Sequence, residues 1–508
     1  MCYIYGMETV TISRPKYQAL QDEVCLLREQ NRLLKAKIFG RKSEKIEVTN
    51  EVQDSLFHDM QPDSENDPIA DKEIQVEKHT RKKGGRKKLP DHLEQEIIVH
   101  RLEGKDRRCE CGCEMSEIGF DESRQLDIIP AKAIVVCHRR MKYACKSCEG
   151  IETEGGTVRI APVPNQIIPK SIATPGLLAY LLTHKYVDAL PYYRQEKRFR
   201  RIGVALSRSN MCSWTVQVAQ KCKEVMEILQ DHIKSGDIIR IDETTHQVMK
   251  EKGRKNKTKS YMWVIRGGPP DRVAIMYHYH PTRASHVAQE LLEGFEGYVQ
   301  TDGYVGYDFI DRSEKMHHVG CFAHARRKFM DVIKSQGKTK TPGHAQYAIK
   351  TLAELYKIEK EAKEQGIKGP DLLALRQEKS KPLLDKFHEW LLEKRVMTPP
   401  KSALGVAINY SLKMWNRLIR YLDHSQLTPD NNWVENAIRP FVVGRKNWLL
   451  SGHPNGANAS AVMYSLVESA KANGWEPYAY LRHLLEGIQN GSKSTDLLPF
   501  NPPQMERG

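Results

Sequence analysis

The apolar pattern changes period near residue 237, and that change constrains the architecture more than any other feature. Ile238-Ile239-Arg240-Ile241-Asp242, Tyr261-Met262-Trp263-Val264-Ile265 and Arg272-Val273-Ala274-Ile275-Met276-Tyr277 are β-rich runs separated by Gly, Pro and Lys turns. A helix-like stretch over 285–295 leads to a fourth run, Gly297-Tyr298-Val299-Gln300-Thr301-Asp302. Strands, a crossover helix and another strand predict a mixed α/β sheet. Over 336–425 strand character disappears and the spacing turns helical, so a helical insertion into the sheet domain is expected. A further helix is expected over 459–473, before a Pro-rich end.

The N-terminal third reads differently. Leu20, Val24, Leu27, Asn31, Leu34 and Ile38 follow a heptad rhythm, with Val24, Asn31 and Ile38 at a and the leucines at d. Aliphatic a positions, Leu at d and one Asn at a favour a parallel two-stranded coil; an amphipathic helix packed on its own domain is the alternative. An acidic, apolar-poor stretch follows, then Arg81-Lys82-Lys83-Gly84-Gly85-Arg86-Lys87-Lys88-Leu89-Pro90, whose glycines let a basic backbone approach phosphates.

Eleven cysteines are spread over 508 residues. No secretory signal pattern opens the chain and no apolar run approaches the roughly 18 residues of a membrane helix, so a reducing cytoplasmic setting is expected. Clustered thiols then suggest metal rather than disulfides. Cys145-x-x-Cys148 supplies one half of a zinc site, and Cys109, Cys111 and Cys113 offer three thiols for the other; four of these five are expected to bind one Zn²⁺. Sequence at 134–138, between the two halves, is strand-like. Farther on, helical segments start at Thr174-Pro175, at Leu190-Pro191 and at Ser207, the last after the Gly203 turn, which matches a helix-turn-helix plan. Arg194, Lys197, Arg198, Arg200, Arg201 and Arg208 give it a positive face, although a helical bundle without DNA has the same appearance. With 79 Lys+Arg against 64 Asp+Glu the net charge is +15, which favours an anionic partner.

Asp242 and Asp302 stand at the ends of the first and fourth runs, and Glu435 follows Asp430, a candidate N-cap. Three such acids suit hard Mg²⁺, which prefers carboxylate oxygen. The motifs around them narrow the reading. Ile241-Asp242-Glu243-Thr244-Thr245, Thr301-Asp302-Gly303-Tyr304-Val305-Gly306-Tyr307, Cys321-Phe322-Ala323-His324-Ala325-Arg326-Arg327-Lys328-Phe329 and Asn431-Asn432-x-x-Glu435-Asn436-Ala437-Ile438-Arg439-Pro440, then Gly444-Arg445-Lys446-Asn447-Trp448, strongly resemble the IS-sixty-six family of bacterial insertion-sequence transposases. The resemblance runs in order over nearly the whole chain, to Tyr464-Ser465-Leu466-Val467-Glu468-Ser469-Ala470-Lys471. It departs at the first zinc pair, which the family usually spaces as Cys-x-x-Cys-Gly, and at Trp433-Val434 and Asn436 around the Glu.

This resemblance implies a DDE transposase with a ribonuclease H-like core. Asp242, Asp302 and Glu435 would be the catalytic acids and the ligands of Mg²⁺ or Mn²⁺, and Zn²⁺ would be structural. The implied partner is double-stranded DNA, as element ends and target, contacted by Arg86, Lys87, Lys88, Arg194, Lys197, Arg198, Arg201, Arg326, Arg327, Arg439, Arg445 and Lys446. Cys321 and His324, i and i+3 on one helix face, read either as active-site support or as a packed Cys and a capped His. A homodimer or higher oligomer, small accessory proteins of the same element, no membrane and a nucleoid-associated bacterial location complete the expectation. The expected α/β organisation is a coiled-coil helix at 11–46, a linker with the basic run at 47–90, a zinc-binding domain at 91–160 and a helix-turn-helix-like domain at 161–225. A core at 230–440, with its insertion at about 336–425, and a C-terminal helical block at 441–508 follow. A DNA-binding regulator that has lost catalysis, or a cellular nuclease with the same core, are the rival readings.

Overall fold

The computed structural model describes residues 14–39, 132–144, 158–336 and 343–500. They belong to two compact units, one drawn from Met1–Asp63 and Asn165–Pro503, the other centred on Ser64–Pro164. In the smaller unit, β1 (Lys142–Ala144) and β2 (Val158–Ile160) pair antiparallel, with Tyr143 opposite Arg159. The strand expected at 134–138 is absent. Ile134, Val135 and Val136 are exposed there, so the segment has no buried face to hold it in a sheet. Cys109, Cys111, Cys113, Cys145 and Cys148 lie outside the described residues, as do Arg86, Lys87 and Lys88.

The larger unit begins with α1 (Arg14–Phe39), an unbroken helix whose heptad residues Leu20, Val24, Leu27 and Leu34 are all exposed. Among the described residues, four helices then precede the sheet: α2 (Pro175–Tyr186), α3 (Tyr192–Arg201), α4 (Arg208–Lys221) and α5 (Lys223–Lys234). Their starts are chemically marked. Thr174 Oγ1 accepts the Leu177 N–H at 3.2 Å and Ser207 Oγ accepts the Asn210 N–H at 3.2 Å. Gly203, at φ +80°, makes the turn between α3 and α4.

The sheet contains β3 (Ile238–Gln247), β4 (Lys259–Gly267), β5 (Ala274–His280), β6 (Gly297–Gln300) and β7 (Met316–Val319), in spatial order β5-β4-β3-β6-β7. The first three pair antiparallel; β6, reached through α6 (Ser285–Leu291), and then β7 run parallel to β3. Alternating residues serve opposite faces. Met262, Val264, Ile275 and Tyr277 join the core formed with α2, α4 and the C-terminal helices, while Trp263, Ile265, Met276, Ile239 and Ile241 pack with α5 and α6. Both faces are covered, which is why β4 reads as a nearly continuous apolar run. Two details differ from the sequence reading. β3 continues five residues beyond Asp242, and β7, whose Met316-His317-His318-Val319 is too short and polar to show a strand pattern, adds a fifth strand.

After β7 the chain enters helices: α7 (Phe322–Gln336), α8 (His344–Glu364), α9 (Gly369–Leu375), α10 (Lys381–Met397), α11 (Ala403–Lys413) and α12 (Trp415–Ile419). They enclose a separate core of Phe329, Leu352, Phe387, Leu391, Ile408 and Tyr421. Arg376, 1% exposed, organises the polar side of this insertion. Its guanidinium forms two 2.8 Å bonds to Glu359 and donates to the carbonyls of Tyr421, His424 and Leu427.

Three helices finish the unit: α13 (Asn432–Trp448), α14 (Pro454–Ala472) and α15 (Pro477–Asn490). α14 closes the open edge of β5 with side chains. Ser469 Oγ accepts the Ile275 N–H at 2.8 Å and donates to the Ile275 carbonyl at 2.9 Å; Ser465 Oγ accepts the Tyr277 N–H at 2.8 Å. Asn473 Nδ2 donates to the Val273 carbonyl at 2.7 Å. A sheet edge that would otherwise present unpaired backbone groups is thus satisfied by a helix.

Candidate active site

Four short segments meet at the β3–β6 junction. Asp242 sits mid-strand on β3, where Arg240, two residues earlier, pairs in register with Gln300 at the end of β6. Asp302 follows two residues after Gln300, and its Oδ1 accepts the Tyr304 N–H at 2.9 Å, fixing the carboxylate in a tight loop. Gly303 is needed beside it, because a Cβ there would collide with the Tyr410 hydroxyl.

Glu435 reaches the same place through the stretch before α13. Gln300 Nε2 donates to the Thr428 carbonyl at 2.8 Å, the Phe322 N–H to the Pro429 carbonyl at 2.8 Å, and the Asn431 N–H to Cys321 Sγ at 3.3 Å. Asn431 Nδ2 also reaches the carbonyl of Ile241, directly before Asp242, at 3.5 Å. The start of α13 is therefore stitched to β3, β6 and α7 at once, and Glu435 lies in its first turn. Asp430 does not cap α13 as expected; Asn431 is the N-cap residue, while Asp430 accepts the Asn432 N–H at 3.1 Å and bonds its side chain at 2.8 Å.

The electrostatics record the convergence. Burial, with the Glu243 and Asp302 carboxylates and more weakly Glu435 nearby, pushes the Asp242 carboxyl well above the usual carboxylate range. Glu243, its side chain 0% exposed, is raised by burial too, against the opposing pull of Tyr307 and Arg283. Arg283 binds the Glu243 carboxylate, lies 3.7 Å from Asp302 Oδ2 and stacks 3.7 Å above the Tyr304 ring. The Tyr307 hydroxyl donates to Glu243. Glu243, Arg283 and Tyr307 carried no functional assignment from sequence. Glu243 is concealed by its place beside a more telling acid, and Arg283 in Pro281-Thr282-Arg283-Ala284 lies in no recognisable motif. On the other side, His324 Nε2 lies 3.9 Å from Glu435 Oε1.

The basic residues divide by location. Arg194, Lys197, Arg201, Arg327, Arg439 and Lys446 are exposed, and Arg198 lies 3.2 Å from His184 Nε2. Arg445 Nη1 donates to Thr244 Oγ1 at 3.2 Å, tying α13 to β3 two residues from Asp242. Arg326 is buried at 9% exposure, which removes it from the solvent-facing cations. Cys321 is buried, and Cys321 and His324 both face Glu435.

Two buried histidines frame the neighbourhood. His246 Nε2 is 2.8 Å from Ser451 Oγ, and burial, with Arg445 close by, lowers its pKa to about 4. His318, 2.8 Å from Thr301 Oγ1, is lowered by burial and Arg417 to about 4 despite Asp311. Both rings are held neutral, so their contribution is complete above the ordinary pKa near 6.5 and is lost as pH falls toward 4. For His246 the shift corresponds to about 3 kcal/mol. Thermal melts from pH 7.5 to 4.5 should show a steep acid loss, shallower in His246→Phe; equal slopes would reject the assignment.

A family model described as "Transposase IS66 family" matches residues 170–459, more than half of the chain. The chain belongs to this family. Three further models match in order: "Transposase C of IS166 homeodomain" over residues 26–98, "zinc-finger binding domain of transposase IS66" over 106–149, and "IS66 C-terminal element" over 465–500. Two proteins of Sinorhizobium fredii (strain NBRC 101917 / NGR234) are similar along most of their length. "Uncharacterized protein y4jD" is 32% identical over 499 residues, covering 94% of each chain. "Uncharacterized protein y4hP" is 31% identical over 445 residues, covering 84% of this chain and 78% of its own. Family membership makes this a transposase-family chain with a zinc-finger region, and no helix among the described residues is long and apolar enough to cross a membrane.

Proposed function

We propose that the protein is an active DDE transposase, which cuts DNA at the ends of an insertion sequence and joins them to a target, with Asp242, Asp302 and Glu435 as the catalytic acids. The single observation that carries this reading is the convergence of two strands and a helix start that draws these acids together around one loop junction. The strand order, three antiparallel strands followed by two parallel ones, supports a ribonuclease H-like core. The donor chemistry fits a hard dication: four carboxylates, Asp242, Glu243, Asp302 and Glu435, gather there, with Arg283 bound to Glu243 and 3.7 Å from Asp302. Asp242, Asp302 and Glu435 would hold Mg²⁺ or Mn²⁺. When bound, a pair of such ions supplies an activated attacking oxygen and charge stabilisation at the leaving oxygen of an in-line displacement.

The chain's own residues do the positioning. Arg283 fixes the backs of Glu243 and Asp302, Asn431 sets Glu435 relative to β3, and Tyr410 packs against Gly303. The exposed Arg327, Arg439 and Lys446 would meet DNA phosphates, as would the cations of α3. Four thiols of the 109–148 region would hold one structural Zn²⁺, and α1 would pair with α1 of a second copy through its exposed heptad leucines. The domain limits given from sequence, a bacterial cytoplasmic location and possible accessory proteins of the same element belong to this reading.

Strand transfer with labelled element ends in Mg²⁺ tests it: joined products support the reading, and binding without cleavage in either Mg²⁺ or Mn²⁺ returns the regulator alternative. Elemental analysis of purified protein should find zinc, reduced by one ion per chain on replacing Cys145 and Cys148 by serine. An unchanged zinc content would reject the ligand assignment.

A further inference from the structure

We propose a second metal site at the edge of the acid cluster, made by Cys321 Sγ, the His324 ring and the Glu435 carboxylate, selective for a borderline-soft dication of the zinc class. One ligand atom from each residue lies within 4.8 Å of the other two. A tetrahedral ion with the usual thiolate, imidazole and carboxylate distances sets its ligands roughly 3.3–3.6 Å apart, so side-chain rotation of about an ångström closes the set. A fourth position is left for water.

Local structure favours metal-bound sulfur here. Cys321 Sγ accepts the Asn431 N–H at 3.3 Å and a second backbone bond from His324, and it sits directly ahead of the 15-residue helix α7, whose N-terminal dipole favours negative charge. A dication bound here displaces the thiol proton to solvent. His324 Nδ1 is buried and finds no hydrogen-bond partner among the described residues, so the ring is not committed to a tautomer by a protein acceptor. Sulfur and imidazole reject Mg²⁺, which separates this set from the all-carboxylate one.

The two sets share Glu435. An ion on Cys321 and His324 draws that carboxylate away from Asp242 and Asp302, so zinc-class metal and the proposed chemistry compete for one side chain. This consequence rests on the transposase reading, but the metal site itself does not.

Cobalt titration of the full chain, carrying only the one Zn²⁺ of the 109–148 region, tests the site. Co²⁺ should add a thiolate-to-metal absorption band, and excess Mg²⁺ should leave it in place. The added band should vanish in Cys321→Ser, and affinity should fall by more than about tenfold in His324→Gln. His324 is partly exposed, so that variant tests the site even if the buried substitution unfolds. Cobalt uptake identical in wild type and both variants would overturn the proposal. Because the readout is absorbance, its failure leaves strand transfer untouched, and failure of strand transfer leaves the cobalt result standing.

Discussion

Alanine at Asp242, Asp302 or Glu435 is expected to lower strand transfer by about three orders of magnitude or more, while binding to labelled ends stays within about threefold of wild type. The three residues act as a unit, so double substitutions should cost little more than single ones. Stability should move the other way. Asp242 is buried against Glu243 and Asp302, and in chelator its charge is opposed by its neighbours. Asp242→Asn removes one like charge and is expected to raise metal-free stability by about 1–3 kcal/mol. A variant that loses strand transfer and gains thermal stability would have an assembled site. Activity retained in all three alanine variants would refute the catalytic assignment.

The second large effect is structural. Arg376→Met should destabilise the insertion by about 3–5 kcal/mol, because it strands the Glu359 carboxylate and removes the donor to three carbonyls that converge on one guanidinium. The double variant Arg376→Met with Glu359→Leu should recover part of that loss, since the stranded charge is then gone. Those carbonyls, at Tyr421, His424 and Leu427, belong to the segment leading into Asn431 and Glu435. Strand transfer in the single variant should therefore fall at temperatures where the sheet itself still resists unfolding. Denaturant melts that show no difference between wild type and Arg376→Met would mean that this bonding is absent in solution.

What could be read in the sequence followed the range of each signal. Period changes located the strands and the helical insertion, since apolar alternation is a local property. Ser207 and Thr174 announced helix starts because a cap bonds only three residues ahead. Asp242, Asp302 and Glu435 stood out through the motifs around them. Their proximity depends on Gln300, Pro429 and Asn431, whose bonds join residues more than a hundred positions apart, and no local pattern encodes such pairs. Arg283 and Arg376 look like any surface arginine until the fold places carboxylates against them. β7 was hidden by its two histidines, one of which is buried against Thr301. The exposed run at 134–136 misled for the converse reason: a continuous β-branched run holds as a strand only where something covers it.

The serines that α14 lends to β5 have a bearing on manufacture of the protein. Roughly 150 residues separate the last sheet strand from Ser465, and at 5–20 residues per second the ribosome needs about 7–30 s to deliver them. Throughout that delay the nascent sheet carries a bare rim, while everything N-terminal to it has already emerged. Any truncated copy that ends before α14 would be left with a sticky margin prone to self-association.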